Sequence, residues 1–202
     1  MTSDPVHDTP PGQRGTPGGD TRQRLIAAAR EIICEAGLTQ ARMEDIATRA
    51  GVCRAAAYYH FNTKADLVGA IIDDLCSGLT DIVRATLADG PLDGVIAATV
   101  RFFSDHVSVT RLLLTEITLD PMELVIRHRD ALLSVLRRRV SADIAAGRMR
   151  PMDPDVAAQA IVGLIRVAPV EMICDESTDL EHLTAELTDF LHHALALTGR
   201  RP

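Results

Sequence analysis

Five side chains able to grip a polyanion are crowded into residues 54–64: Arg54, Tyr58, Tyr59, His60 and Lys64, the chain's single lysine. A guanidinium can donate two parallel hydrogen bonds to the edge of a guanine. Phenol hydroxyls, an imidazole and an ammonium suit phosphate oxygens, which fix a protein on a duplex without reading its sequence. Ala55 and Ala56 stand among these donors. Side chains that small allow close approach to base edges and contact with a thymine methyl. Arg42, upstream, supplies one more cation. The chemistry these types offer is recognition of a nucleic acid, not bond making.

Such residues need a rigid mount, and the flanking sequence reads as one. Asp45-Ile46-Ala47 leads through Ala50-Gly51-Val52 into Tyr58-Tyr59-His60-Phe61. Two short helices, 43–50 and about 54–60, meet at a turn that needs a left-handed residue, and Gly51 supplies it. Ala47, four residues before Gly51, keeps the helices close. Ile46, Ala50, Val52 and Ala57 can form their shared core. This is the anatomy of a helix-turn-helix, whose second helix enters a major groove. The spacing alone also fits an ordinary helical hairpin; the donors after the turn favour the first reading.

From Arg22 to about Ile72 the sequence resembles the DNA-binding domain of the TetR/AcrR family of bacterial transcriptional regulators. The resemblance rests on Ala36-Gly37, Asp45-Ile46-Ala47, Ala50-Gly51-Val52, Tyr58-Tyr59-His60-Phe61 and Thr63-Lys64-Ala65-Asp66-Leu67. It implies a homodimer on a double-stranded DNA operator, usually a repressor, released by a small and largely apolar effector. It further implies that Arg42, Arg54, Ala55, Ala56, Tyr58, Tyr59, His60 and Lys64 face DNA. Three positions depart from the family pattern. Ala41-Arg42 stands where a hydroxyl residue usually caps the second helix, a loss of ~1 kcal/mol. Cys53 replaces a hydroxyl at the start of the third helix, and Ala57 replaces a larger aliphatic residue.

The rest of the chain is helical by its periodicity, giving an all-α fold of about nine helices. Residues 1–19, rich in Pro and Gly, read as a disordered tail. Residues 20–66 are the three-helix unit, and 67–202 a six-helix ligand-binding and dimerisation domain. The first helix carries Leu25, Ile26, Ala29, Ile32, Ile33 and Ala36 on one face and ends at Gly37. Thr63 with Asp66 caps the long fourth helix, which runs to Gly90-Pro91. Asp153-Pro154 starts the eighth helix, and Thr178 with Glu181 forms a capping box for the last. The resemblance places an effector pocket in the larger domain, for which Leu79, Phe102, Phe103, His106, Leu113, Ile117 and Arg166 are the candidates. Ala160, Leu164, Leu183, Leu187 and Leu191 are the candidates for a dimer interface, because these two helices are apolar on more than one side.

Other clusters point less sharply. Cys53 could be a redox switch at a helix start, or a stand-in for serine. Cys34, Cys76 and Cys174 are a weaker sensor set. His182, Glu186, His192 and His193 fit a solvated helix face better than a metal site, so no metal is expected. Arg166 and Glu171 interrupt an apolar helix, where a charge needs a partner or water, and a structural ion pair is expected over a ligand anchor. Arg137-Arg138-Arg139 reads as a solvated face. No nucleophile–base pair, phosphate loop or cofactor motif appears, so neither enzyme activity nor a cofactor is expected. A ligand-binding protein without DNA-binding function, and a helical-bundle enzyme, are the competing readings.

The 202 residues carry a net charge of −7, with 47% apolar and 3% aromatic residues. That average hides an asymmetry. Residues 20–66 hold seven basic and six acidic side chains, whereas 67–202 hold thirteen and twenty. Only the N-terminal quarter approaches a polyanion without a large repulsive field. Residues 156–174 form the longest apolar stretch, but Gln159, Arg166, Pro169 and Glu171 interrupt it, so no membrane span is expected. The absence of a secretory leader and of paired cysteines points to the cytoplasm.

Overall fold

The structure is a computed structural model that describes residues 17–115, 122–175 and 177–195, with side chains for 19–111, 128–175 and 177–195. All regular elements among these residues are helices. Helix α1 (Pro17–Gln40) buries Leu25, Ile26, Ala29, Ile32 and Ile33 as the periodicity requires. Ala36, assigned to that stripe, is exposed. Gly37, with φ 80° and ψ 163°, breaks the helix where expected, but one further turn follows it to Gln40. Helices α2 (Met43–Arg49) and α3 (Arg54–His60) complete the N-terminal unit.

Helix α4 (Lys64–Asp89) begins at the expected capping box. Asp66 N–H donates to Thr63 Oγ1 at 3.1 Å, and Thr63 N–H to Asp66 Oδ2 at 2.9 Å. Its first turns bury Leu67, Val68 and Ile71. The boundary placed at 66/67 therefore falls inside one continuous helix, which packs on both α1 and the later helices.

Helices α5 (Gly94–Asp105), α6 (Val107–Thr115) and α7 (Met122–Ala145) follow, and Gly147 closes α7 with φ 68°. Helix α8 (Pro154–Ile165) starts as expected, with Asp155 N–H donating to Asp153 Oδ1 at 2.8 Å. The single helix expected over 156–174 is two: the chain bends at Arg166 and resumes as α9 (Val167–Cys174). Pro169 explains the break. It has no N–H for the carbonyl four residues earlier, that of Ile165, and its ring crowds that carbonyl. By length and composition Pro154–Cys174 could cross a membrane, contrary to the sequence reading. In this fold it bends, and its Ala157, Ile161, Ile165, Ala168 and Met172 are buried. Arg166 and Glu171 are both exposed, and among the described residues they form no ion pair with each other.

Helix α10 (Leu180–Leu195) is capped by Asp179 rather than Thr178. Asp179 Oδ1 accepts from Glu181 N–H at 3.1 Å and His182 N–H at 3.0 Å. A carboxylate next to the first orphan N–H groups is the stronger cap.

Polar ties lock the helices at points the sequence does not mark. Arg139, expected on a solvated face, caps the end of α4: Nη1 donates to Leu87 O at 2.5 Å and Nη2 to Gly90 O at 2.9 Å. Its Nε holds Asp143 Oδ2 at 2.9 Å. Arg148 binds the other oxygen, with Nη2 at 2.6 Å. His192, also expected in solvent, joins α10 to Asp93 at 3.1 Å. His128 joins α7 to Asp73 of α4 at 2.7 Å.

Candidate nucleic-acid interface

The turn between α2 and α3 fixes the angle of the candidate recognition helix. Gly51 has φ 66°. Val52 N–H donates to Ala47 O at 3.0 Å and Gly51 N–H to Thr48 O at 3.1 Å, a Schellman closure of α2. A side chain at Gly51 would be strained by that backbone conformation rather than crowded. Below the turn, Ile46, Ala47, Ala50 and Ala57 are buried, and Phe61 seals the far end of α3. Ala57 is wholly buried, so a larger residue there would lift α3 off its seat.

A clasp holds this pair to α1. Arg49 donates to both oxygens of Glu35, at 2.9 and 2.8 Å, and to Glu31 at 3.3 Å. Hydrogen bonds from Arg49 keep the Glu35 carboxyl below the usual carboxylate range. The same partners raise the Arg49 pKa. Arg30 of α1 reaches Asp74 of α4 at 2.5 Å, tying the unit to the larger domain.

Facing outward are Arg42, Arg54, Ala55 and Tyr59, the last 86% exposed. Ala56, Tyr58 and His60 are half-buried. Tyr59 and His60 meet edge to face, their centroids 5.3 Å apart. Arg54 is not a loose side chain. Its Nη2 lies 3.0 Å from Glu44 Oε1, and its guanidinium sits 5.4 Å above the Tyr58 ring. Glu44 is the residue that sequence reasoning missed. Its signal was geometric: the first turn of α2 and the first turn of α3 face each other across a helix-turn-helix. Cys53 occupies the cap position of α3, is exposed, and makes no side-chain capping bond.

Lys64 differs from expectation. Its ammonium donates to Leu38 O, and also to Thr39 O at 3.5 Å. Leu38 O already accepts from Ala41 N–H at 3.2 Å, and the ammonium adds a second, charged donor at this helix end, beside the start of α4. The expected free phosphate ligand is thus a brace within the fold. Lys64→Ala should lower stability by about 1–2 kcal/mol in chemical denaturation. The salt slope of DNA binding should stay the same; a slope shallower by about one unit would restore the phosphate role.

The candidate effector residues that are described differ in their surroundings. Phe102 and Phe103 are buried, Leu79 is half-buried, and Arg166 is exposed at the α8–α9 bend. Phe102 lies tight against Gly78 and stacks on His106 at 4.5 Å, which closes the space between α4 and α5. Leu113 and Ile117 lie outside the residues whose side chains are described. In the candidate interface, Ala160 is exposed and Leu164, Leu183 and Leu187 are half-buried. Leu191 is buried in its own protomer, so it faces inward, and Phe190 beside it is the outward residue, 60% exposed. Burial pushes the Cys76 thiol up to about 11, which leaves it protonated at neutral pH and unsuited to the sensor reading.

The pattern of bacterial regulatory proteins of the tetR family matches residues 25–71, the span that builds this interface. The N-terminal unit thus carries the DNA-binding pattern of the TetR family. Among similar proteins, the HTH-type transcriptional regulator TtgR from Pseudomonas putida is 38% identical over 74 residues, 37% of this chain and 35% of that one. The match therefore spans about a third of that relative's length. The regulator Mb3439c from Mycobacterium bovis is 29% identical over 149 residues, 72% of this chain and 73% of that one. The solved structure of FadR from Bacillus subtilis with stearoyl-CoA has a TM-score of 0.67 at 21% identity, covering 84% of this chain and 96% of that one. That likeness shows a shared fold. The matched pattern over residues 25–71 is one of regulatory proteins.

Proposed function

We propose that this chain is a sequence-specific, DNA-binding transcriptional regulator that acts in the cytoplasm as a homodimer. The observation that carries the proposal is the outward face of α3. It presents Arg54, pinned by Glu44, beside Ala55 and the exposed Tyr59, on a helix whose angle is fixed by the Gly51 turn. Each protomer would place α3 in a major groove, the two half-sites lying about 34–36 Å apart or more along the duplex. Repression and effector release are the finer part of the reading. The crystallised relative that holds stearoyl-CoA supports an apolar effector. Such a molecule would have to displace Phe102 or His106 to enter the larger domain, and it acts only by its differential affinity for the two states.

Selection of duplexes from a random pool tests the proposal, and enrichment of a two-fold symmetric site is the expected result. No enrichment, with the protein folded and dimeric, would return the reading to a ligand-binding protein that has lost its operator. Arg54→Ala should cost about 1–3 kcal/mol on the selected site and relax one or two base positions in each half. An unchanged consensus would mean that Arg54 reads no base.

A further inference from the structure

A cleft of about 470 Å³ opens between the N-terminal unit and the larger domain. One wall is α1, with Arg30, Glu31, Cys34 and Glu35; the other is the corner joining α5 to α6, from Asp105 to Val109. Its size is within the range of about 300–1,000 Å³ usual for small-molecule sites. It is separate from the α4–α5 space in which the effector residues were sought, and only His106 belongs to both.

The chemistry of the walls is one-sided. Val107 lies 38% exposed, so the corner offers some apolar surface. His106 donates from Nδ1 to Phe102 O at 2.7 Å and stacks on Phe102, which adds an aromatic edge. Three carboxylates line the cleft, Glu31, Glu35 and Asp105. A single guanidinium, that of Arg49, serves both Glu31 and Glu35. The charge of Arg30 is answered by Asp74. Asp105 has no hydrogen bond or ion pair among the described residues. Two negative charges are thus left over along the cleft, and together they favour a cation there.

We propose that this interdomain cleft is a binding site for a hydrophobic organic cation. The apolar body lies on Val107 and the His106 ring, and the positive charge faces Asp105 and Glu31. The site is independent of the DNA-binding reading, because the test needs no DNA.

Tetraphenylphosphonium and tetraphenylborate are alike in shape and opposite in charge, and each is titrated calorimetrically into the full-length protein. The cation should bind at least tenfold more tightly than the anion. Asp105→Asn, a change at an exposed residue, should weaken the cation several-fold with the circular dichroism unchanged. Cys34 reports the location, since it lines the cleft, while Cys53 and Cys174 are exposed elsewhere. Saturating cation should slow iodoacetamide alkylation of Cys34, followed peptide by peptide, and leave Cys53 and Cys174 unaffected. Equal affinity for the two ions, no binding of the cation, or an unprotected Cys34 at saturation would each overturn the proposal.

Discussion

Ala160→Arg should turn the protein into a folded monomer that no longer holds its operator. Along α8, Val156, Ala160 and Gly163 are exposed at spacings of four and three, which is one face of the helix. Val170 on α9 and Phe190 on α10 are exposed as well. Val156 and Phe190 each leave 60% of their surface open. The opposite face of α8, with Ala157, Ala158, Ile161 and Ile165, is buried in the protomer. A helix apolar on both sides needs cover on both sides. In the proposed homodimer a second copy related by a two-fold axis would supply it, and Ala160 and Gly163 would let the backbones come close.

An arginine at position 160 would bury a charge at that approach without a partner. Losing the second protomer also removes the second half-site contact, a factor of about 10²–10⁴ in affinity. Phe190→Glu should give the same phenotype from the other helix. Sedimentation, circular dichroism and gel shift together check the outcome. A wild-type monomer at micromolar concentration would remove the basis for this prediction and for the half-site geometry.

The largest loss of stability is expected from Asp143→Ala. The Asp143 side chain is 4% exposed and sits between Arg139 and Arg148. Removing it strands the buried side of Arg139, which also carries the Leu87 and Gly90 carbonyls at the end of α4. Breaking a buried pair from one side costs about 3–5 kcal/mol. That is a large share of the ~5–15 kcal/mol that holds an ordinary domain folded. Arg148 is half exposed and contributes less, so Arg148→Ala should cost under ~1 kcal/mol. Urea titration of the two variants separates these cases. Equal, small losses would show that the Arg139 contacts to the α4 carbonyls survive without the carboxylate.

What the sequence made legible was local. The Gly51 turn, the Thr63–Asp66 box and the Asp153-Pro154 start are set by residues within a few positions of one another, and each stands where expected. The α8–α9 break escapes a reading that keeps 156–174 as one helix, because the effect of Pro169 lands four residues upstream, at Ile165. Adjacent candidates defeated the reading of α10, where Thr178 and Asp179 could both cap and the carboxylate does. The ties that position the candidate interface were out of reach for another reason. Lys64 meets carbonyls 25 and 26 residues away, Arg139 meets carbonyls 49 and 52 residues away, and His192 meets an acid 99 residues away. No periodicity encodes such pairs, because they exist only once the helices have docked. The same holds for Leu191 and Phe190, neighbours on one helix whose roles are divided by its rotation.

The position of Lys64 gives this protein an unusual experimental handle. Its ammonium is the single lysine amine in the chain, and it lies at the junction of α1 and α4. Amine-directed reagents therefore have one side-chain target, and its reactivity depends on whether that junction is closed. Acylation there removes the charge that answers the Leu38 and Thr39 carbonyls, so labelling and opening are coupled. The rate at which a mild acylating reagent modifies Lys64 thus counts the openings of the N-terminal unit directly. It can be followed with DNA or small molecules present and without an engineered probe, from the mass of the peptide that carries Lys64, which separates it from the N-terminal α-amine.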